Sequence, residues 1–226
     1  MTRIGSSNDY YIGGWYHETG STDDIELYRF NQNLNLQKTV RLRAAGDDQI
    51  SCIASDSNGV IIGGQSGARS FMAKIDSQLN SYDGIAIPGI TEIKAILPVS
   101  STGVQAAQSV NPLALAPPSN QIYFAGVSST ELIVGAISGF PVSASTVQVR
   151  KFAIANRSTP IELIEGNNAI YMLHRGLNAS ETIVIKFSLS LQEIWRKRVD
   201  VGAGSRFSKG ETSGNELLLA GFTSSI

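Results

Sequence analysis

The chain alternates between short apolar runs and small polar turns, and one kind of apolar run recurs five times. A second apolar run follows each of the first four copies. A polar residue ends this second run, and the next apolar residue of the pattern stands three positions after that polar residue. This rhythm predicts two antiparallel strands joined by a tight turn. The runs end at Gly14, Gly64, Gly126, His174 and Gly221, which lie 50, 62, 48 and 47 residues apart. The returning residues are Leu34, Leu79, Pro141 and Leu191.

Two more strands fit each of the first four copies. The predicted third strands are Gln37–Arg43, Ser81–Ile87, Thr146–Phe152 and Glu193–Val199. The predicted fourth strands are Ile50–Ser55, Ile93–Pro98, Pro160–Ile164 and, more weakly, Arg206–Thr212. Turn residues such as Asn58-Gly59 and Gly214-Asn215 stand between strands, and they tolerate the left-handed backbone of tight hairpins. Repeats of about 50 residues with four strands each predict an all-β fold, a β-propeller built from about four four-stranded blades.

The blades do not divide the chain evenly. We expect a single β-propeller domain over residues 1–226, with repeat units at approximately 9–57, 58–119, 120–166 and 167–214 and a final strand within 215–226. The final strand packs elsewhere on a four-bladed ring, or the ring is open and joins a second copy, or the chain is a piece of a longer propeller. In a closed ring, Arg206–Thr212 would complete the first blade. An open apolar edge invites pairing, so we hypothesise self-association.

At these positions the chain resembles the bacterial β-propeller repeat family of large surface and secreted proteins, which carries seven-bladed-propeller-type repeats. The resemblance is carried by Gly13-Gly14, Asp24 through Asn31, Leu36 through Leu42, Gly46-Asp47-Asp48 and Asp56 through Gly59. The last unit matches from Ile194-Trp195 to Ala220-Gly221. The pattern departs at Ala136 and Ser138 in the third unit and at an inserted segment, 100–119. The resemblance implies scaffolding or binding, with no common active site.

The inserted segment and the composition add limits rather than a function. Residues 100–119 are predicted as an extended loop with one short helical turn near 104–110, either functional or a tolerated insertion. Charged residues make up 16% of the chain, against ~25% in typical globular proteins, which favours short strands over long surface helices. The net charge of −1 provides no basic excess for nucleic acid.

No targeting signal is visible. No apolar stretch of signal-peptide length opens the chain, and no segment approaches the ~18 apolar residues of a membrane span. We therefore expect a cytoplasmic or virion protein, or an extracellular one if the chain belongs to a larger protein.

Few residues suggest chemistry. Cys52 is the only cysteine and lies in an apolar run, so a buried inert thiol is expected. His17 and His174 stand at or near the ends of equivalent strands and could lie near each other around a closed ring, but two histidines without matched ligands make a weak metal site. The acidic pairs Asp23-Asp24 and Asp47-Asp48 are better explained by turns than by calcium. We expect neither metal nor cofactor.

Trp15 and Tyr16 lead into a loop and are candidates for stacking on a sugar or a partner. The predicted ligand-binding residues are therefore Trp15, Tyr16, His17 and His174. We expect a non-catalytic interaction or assembly module that binds a protein partner or itself through its edge strands, within a phage particle or a bacterial surface structure. A lectin-like propeller that binds a glycan is the alternative, and a hydrolase with its site at the central channel is the third.

Overall fold

The computed structural model describes residues 2–3, 8–17, 22–43, 46–99, 121–140, 147–153, 160–176, 180–200, 202 and 205–223. Side chains are not described at 2–3, 153, 160–161, 205–206 and 223. The helical turn expected near 104–110, with the rest of the 100–119 insertion, lies outside the described residues. Within them, no helix has the length and apolarity needed to cross a membrane.

The described strands form five antiparallel sheets that follow one another along the chain. The first sheet holds β1 (Thr2–Arg3), β2 (Tyr10–Tyr16), β3 (Asp24–Phe30) and β4 (Leu36–Leu42). The second holds β5 (Asp48–Ser55), β6 (Gly59–Ser66), β7 (Arg69–Asp76) and β8 (Tyr82–Ile87). The third holds β9 (Glu92–Val99), β10 (Gln121–Val127), β11 (Glu131–Ser138) and β12 (Gln148–Ala153). The fourth holds β13 (Pro160–Gly166), β14 (Ala169–Arg175), β15 (Glu181–Ser188) and β16 (Glu193–Asp200), and the fifth holds only β17 (Ser205–Ser213) and β18 (Glu216–Thr223).

The sheets are arranged as propeller blades, confirming the predicted fold class. The first strands of successive sheets lie beside one another, β1 by β5, β5 by β9, β9 by β13 and β13 by β17. Each strand predicted as the fourth of a unit in fact opens the next sheet. Among the described residues no comparable packing joins β17 or β18 to the first sheet, so the ring is an open arc.

The two ends of the arc do not pair in the way that a closed ring was expected to require. Arg206–Thr212 does not complete the first blade, because it belongs to β17 and pairs with β18. The first sheet instead has its own inner strand, where Thr2 pairs with Tyr11 and Arg3 with Tyr10. Both ends of the arc therefore finish in sheets with no described sheet packed beyond them.

Burial along the second strands shows which faces of the arc are covered. The first six residues of β6, β10 and β14 are all buried, since each of these strands is sandwiched between two neighbouring sheets. Successive side chains of a strand point to opposite faces of its sheet. In β2 and β18 only one face has a neighbouring sheet, and the other face carries exposed residues.

Candidate functional site

A repeated set of contacts holds two of the sheets to the sheets that follow them. Between the first and second sheets, Tyr11 packs in one cluster with Leu79, and its hydroxyl donates to the carbonyl oxygen of Ser77 at 2.7 Å. Between the third and fourth sheets, Tyr123 packs with Leu191 and donates to the carbonyl oxygen of Leu189 at 2.8 Å. Tyr11 and Tyr123 both stand three residues before the end of their repeat run. The two contacts are therefore one device, used twice.

The leucine in this device has an unusual backbone. Leu34, Leu79 and Leu191 have φ angles of 60°, 56° and 61°. This left-handed region is strained for a bulky residue and costs roughly 1–2 kcal/mol. The surrounding turn holds each residue there: the Leu34 amide donates to the Asn31 carbonyl, the Leu79 amide to Asp76 and the Leu191 amide to Ser188, all at 2.9 Å. We call these three residues the knob leucines.

Only one knob leucine is exposed. Leu79 and Leu191 are 3% and 2% exposed, because each inserts into the sheet that precedes its own. Leu34 is 66% exposed, since no described sheet precedes the first. The same turn with the same backbone conformation is thus present three times, and in the first sheet its knob projects into solvent.

Leu34 belongs to a larger apolar surface, the first-sheet end face. In the second sheet, the residues at the equivalent repeat positions are all buried: Val60, Ile62, Ala73, Ile75 and Leu79. Ile12 is 39% exposed, and its aromatic neighbours on the face are only half-buried. The face consists of Tyr10, Ile12, Tyr28, Phe30 and Leu34.

The opposite end of the arc has a second apolar surface. Leu217 and Leu219 pack against the fourth sheet, so the even-numbered residues of β18 lie on the opposite face. Two of these, Leu218 and Phe222, are 53% and 47% exposed. We call Leu218 and Phe222 the fifth-sheet end face. Leu218 stands three residues before Gly221, which is the repeat position of Tyr11 and Tyr123.

Polar groups flank the first-sheet end face. The Arg41 guanidinium lies 3.9 Å from the centre of the Tyr16 ring and 3.4 Å from a carboxylate oxygen of Glu26. The Tyr28 hydroxyl donates to the same carboxylate, and this hydrogen bond raises the pKa of Tyr28. Tyr16, Glu26, Tyr28 and Arg41 thus satisfy one another at the border of the apolar surface.

The structure separates two of the predicted ligand-binding residues. Trp15 and Tyr16 are consecutive in β2, so their side chains lie on opposite faces of the first sheet. Trp15 is 57% exposed on the side of the second sheet, whereas Tyr16 stacks under Arg41. A single platform made of both rings, as one would use for a sugar, does not form.

The two histidines also have different surroundings. His17 is exposed, and its Nδ1 lies 2.6 Å from Oδ1 of Asp23, a contact that lowers the pKa of this carboxyl group. His174 is buried in the fourth sheet, where its Nδ1 lies 2.9 Å from the carbonyl oxygen of Arg175. Burial lowers the pKa of His174. Among the described residues, no group of three or more His, Cys, Asp or Glu side chains could hold a metal.

The remaining polar candidates have structural contacts. Burial raises the pKa of Cys52, and its sulfur lies 3.6 Å from the carbonyl oxygen of Gly63. The first acidic pair lies against the second: the Asp48 amide donates to the Asp23 carbonyl at 2.8 Å, and the Asp23 amide to Oδ1 of Asp47 at 3.2 Å. Asp24 forms an ion pair with Arg43 at 2.8 Å. Asp24 and Asp48 begin strands β3 and β5, so the two pairs lie at strand starts rather than inside the turns that the sequence predicts.

Cavities lie between the described blades. One of about 320 Å³ lies between the first and second sheets, and its lining is mostly apolar, with Ile25, Leu42 and Phe71 beside Arg43 and Arg69. The other, of about 220 Å³, lies between the second and third sheets and is more polar. Neither cavity is lined by Trp15, Tyr16, His17 or His174.

Comparison with known proteins supports the fold. No family model matches the chain, and no curated protein matches it. Among solved structures, the chain is similar to the Dos1 propeller, with a TM-score of 0.51 and 12% identity over 84% of this chain and 45% of that chain. It also matches a DUF4221 family member from Bacteroides vulgatus, with a TM-score of 0.36 and 8% identity over 96% and 89% of the two chains. A Synechocystis apocarotenoid oxygenase matches with a TM-score of 0.33 and 8% identity over 95% and 61%.

Of these three similarities, that to the Dos1 propeller alone has a TM-score above 0.5, and at 12% identity it shows the fold alone. Together with the five radial sheets, it defines the chain as a β-propeller module. The chain spans less than half the length of that propeller chain. The sequence did not single out Leu34, Leu218 and Phe222 as site residues. The repeat marks their positions, and in the described structure the first and last sheets each have a neighbouring sheet on one side only.

Proposed function

We propose that this protein is a non-catalytic β-propeller interaction module, which binds another protein through its open end faces. The observation that supports this most directly is Leu34, a strained knob leucine that is two-thirds exposed while its two equivalents are buried. A backbone conformation of this cost persists where the surrounding structure requires it. In all three sheets the turn holds the leucine in this conformation, and in the second and fourth sheets the leucine then contacts the preceding sheet, so the first sheet is preformed for the same contact.

The energetics favour covering this surface. Burying a whole leucine side chain contributes about 1.5–3 kcal/mol, and two-thirds of that of Leu34 is still available. Covering Leu34 would therefore contribute about 1–2 kcal/mol by itself. Ile12, Leu218 and Phe222 add further exposed apolar surface at the two ends. Contiguous exposed apolar surface of this kind marks protein interaction sites.

The wider setting is a further part of the proposal. We propose that the module is a structural component of a phage particle or of a bacterial surface structure, as a member of the bacterial propeller repeat family that its residue pattern resembles. The support is the agreement between that pattern and the observed order of strands: Gly13-Gly14 lies within β2, and Asp56 through Gly59 connects β5 to β6.

A carbohydrate-binding role is the second candidate, and the exposed ring of Trp15 is the observation that favours it. Tyr16 does not share its face, so Trp15 would stack on a sugar by itself. A glycan array with the wild-type protein and Trp15→Ala tests this role. Binding that is lost in the variant would support a lectin, and the absence of any glycan signal would rule the lectin out.

Binding of the fluorescent apolar probe bis-ANS tests the interaction surface without requiring a known partner. At a dilution where the protein is monomeric, we expect the wild type to bind the probe and Leu34→Glu combined with Phe222→Glu to lose most of the signal. Ile194→Glu is the matched control, since Ile194 is 54% exposed on the fourth sheet, away from both end faces. Equal losses in both variants, or no binding by the wild type, would contradict the proposal.

A further inference from the structure

We infer that the occupant of the first-sheet end face is the fifth-sheet end face of a second copy of this chain, in a head-to-tail contact. This inference rests on the proposed function and names the partner. It places Leu34 of one copy against Leu218 of the other. The contact continues the series of interfaces already present inside the arc.

Repeat equivalence supports this partner. At the two internal interfaces described above, a knob leucine meets the residue three positions before the end of the preceding repeat run: Leu79 meets Tyr11, and Leu191 meets Tyr123. Leu34 is the exposed knob leucine, and Leu218 is the exposed residue at the position that contacts a knob leucine in the internal interfaces. The chain thus carries both halves of its own interface, at opposite ends.

The two faces also match in character. A contact between them would place Leu34 and Ile12 on one side and Leu218 and Phe222 on the other, so that apolar side chains meet apolar side chains. Leu218 replaces the tyrosine of the equivalent positions, and so it brings no hydroxyl group that needs an acceptor. The second-to-third-sheet interface also has an aliphatic residue at that position, because Ile61 packs there and is fully buried.

The described sheets form an open arc, because no described packing comparable to that between successive sheets joins the fifth sheet to the first. A head-to-tail contact is heterologous, meaning that each copy contributes a different surface. It would extend the arc in the direction in which the blades already follow one another.

Crosslinking between two variants that each carry one added cysteine tests this contact. Leu34→Cys and Leu218→Cys are purified separately, mixed and treated with a short bismaleimide, and the products are separated under reducing conditions. Both positions are exposed, so we expect the variants to fold, which circular dichroism checks. Ile194→Cys replaces Leu218→Cys in the matched control mixture. The wild type controls for Cys52, whose raised thiol pKa makes it a poor nucleophile.

We expect a covalent dimer in the mixture of Leu34→Cys with Leu218→Cys, at least tenfold more abundant than in the control mixture or in either variant alone. The inference would be overturned by a dimer from Leu34→Cys alone, which would mean that like faces meet. It would equally be overturned by the absence of any dimer at the highest soluble concentration. A crosslink within one chain of the double variant Leu34→Cys/Leu218→Cys would show that the ring closes on itself, and would also overturn it.

Bis-ANS binding separates failure of this inference from failure of the proposed function. If the end faces bind the probe but no intermolecular crosslink forms, the interaction surface stands and its partner is a different protein. If neither is observed, both proposals fail.

Discussion

The knob leucines allow one substitution to be compared in two surroundings. Leu79 and Leu34 occupy the same position of the same turn, with φ angles of 56° and 60°. Replacement by alanine removes the same atoms and leaves the same backbone requirement at both sites. The two variants therefore differ mainly in whether a preceding sheet covers the side chain.

The expected magnitudes follow from burial. Leu79 is 3% exposed, so Leu79→Ala loses nearly all of the leucine transfer free energy and leaves a cavity, at a cost of about 3 kcal/mol. Leu34 is 66% exposed, and only about a third of the transfer free energy, below about 1 kcal/mol, is at risk in Leu34→Ala. We expect Leu191→Ala to resemble Leu79→Ala, because Leu191 is 2% exposed.

The measurement is the free energy of unfolding from urea titrations followed by circular dichroism. It is made at low protein concentration so that the end faces are uncovered. A cost for Leu34→Ala that equals the cost for Leu79→Ala would refute the reasoning, because Leu34 would then be covered within a single chain. A cost below about 1 kcal/mol for Leu79→Ala would show that knob insertion does not stabilise the arc.

Two further predictions concern the device and its turn. Tyr11→Phe and Tyr123→Phe each remove a hydroxyl that donates to a carbonyl of the next sheet, so each should lower the free energy of unfolding by about 1 kcal/mol. The control is Tyr82→Phe: Tyr82 is 62% exposed, so this change should alter the free energy of unfolding by less than about 0.5 kcal/mol. Equal effects at all three sites in urea titrations would contradict the role of these bonds. The Asp76 carboxylate accepts hydrogen bonds from the Ser81 hydroxyl and from amides of the turn, and these bonds lower its pKa to about 2. Its contribution to stability is therefore present above the unfolded pKa of about 4 and is lost as the pH falls to about 2. The difference in unfolding free energy between wild type and Asp76→Asn should therefore shrink over that range, and a difference independent of pH would contradict this assignment.

Much of the fold could be predicted from the sequence because it is written in local patterns. Each apolar run and its turn residues lie within a few positions of one another, so the repeat predicts the strand order directly. The predicted strands Ile50–Ser55, Ile93–Pro98 and Glu193–Val199 all lie within observed strands. The sheet to which a strand belongs was harder to predict, since Arg206–Thr212 has the same local pattern whether it completes the first blade or pairs with β18.

The candidate site could not be predicted in the same way. Trp15 and Tyr16 are large and precede a loop, which makes them candidates from sequence, but strand alternation places them on opposite faces of the sheet. His17 and His174 share a repeat position within a few residues, yet one is exposed beside Asp23 and the other is buried. Exposure depends on what packs against a strand, and that information is distant in sequence.

The knob leucines show which features depend on the sequence alone and which depend on the tertiary structure. The sequence by itself determined the repeat, the turn and the presence of a leucine at its third position, because these depend on neighbouring residues. In sequence, Leu34, Leu79 and Leu191 are equivalent. Only the tertiary structure decided that two of them are buried and that Leu34 is exposed, because burial requires a preceding sheet and the first sheet of the open arc has none in the described structure.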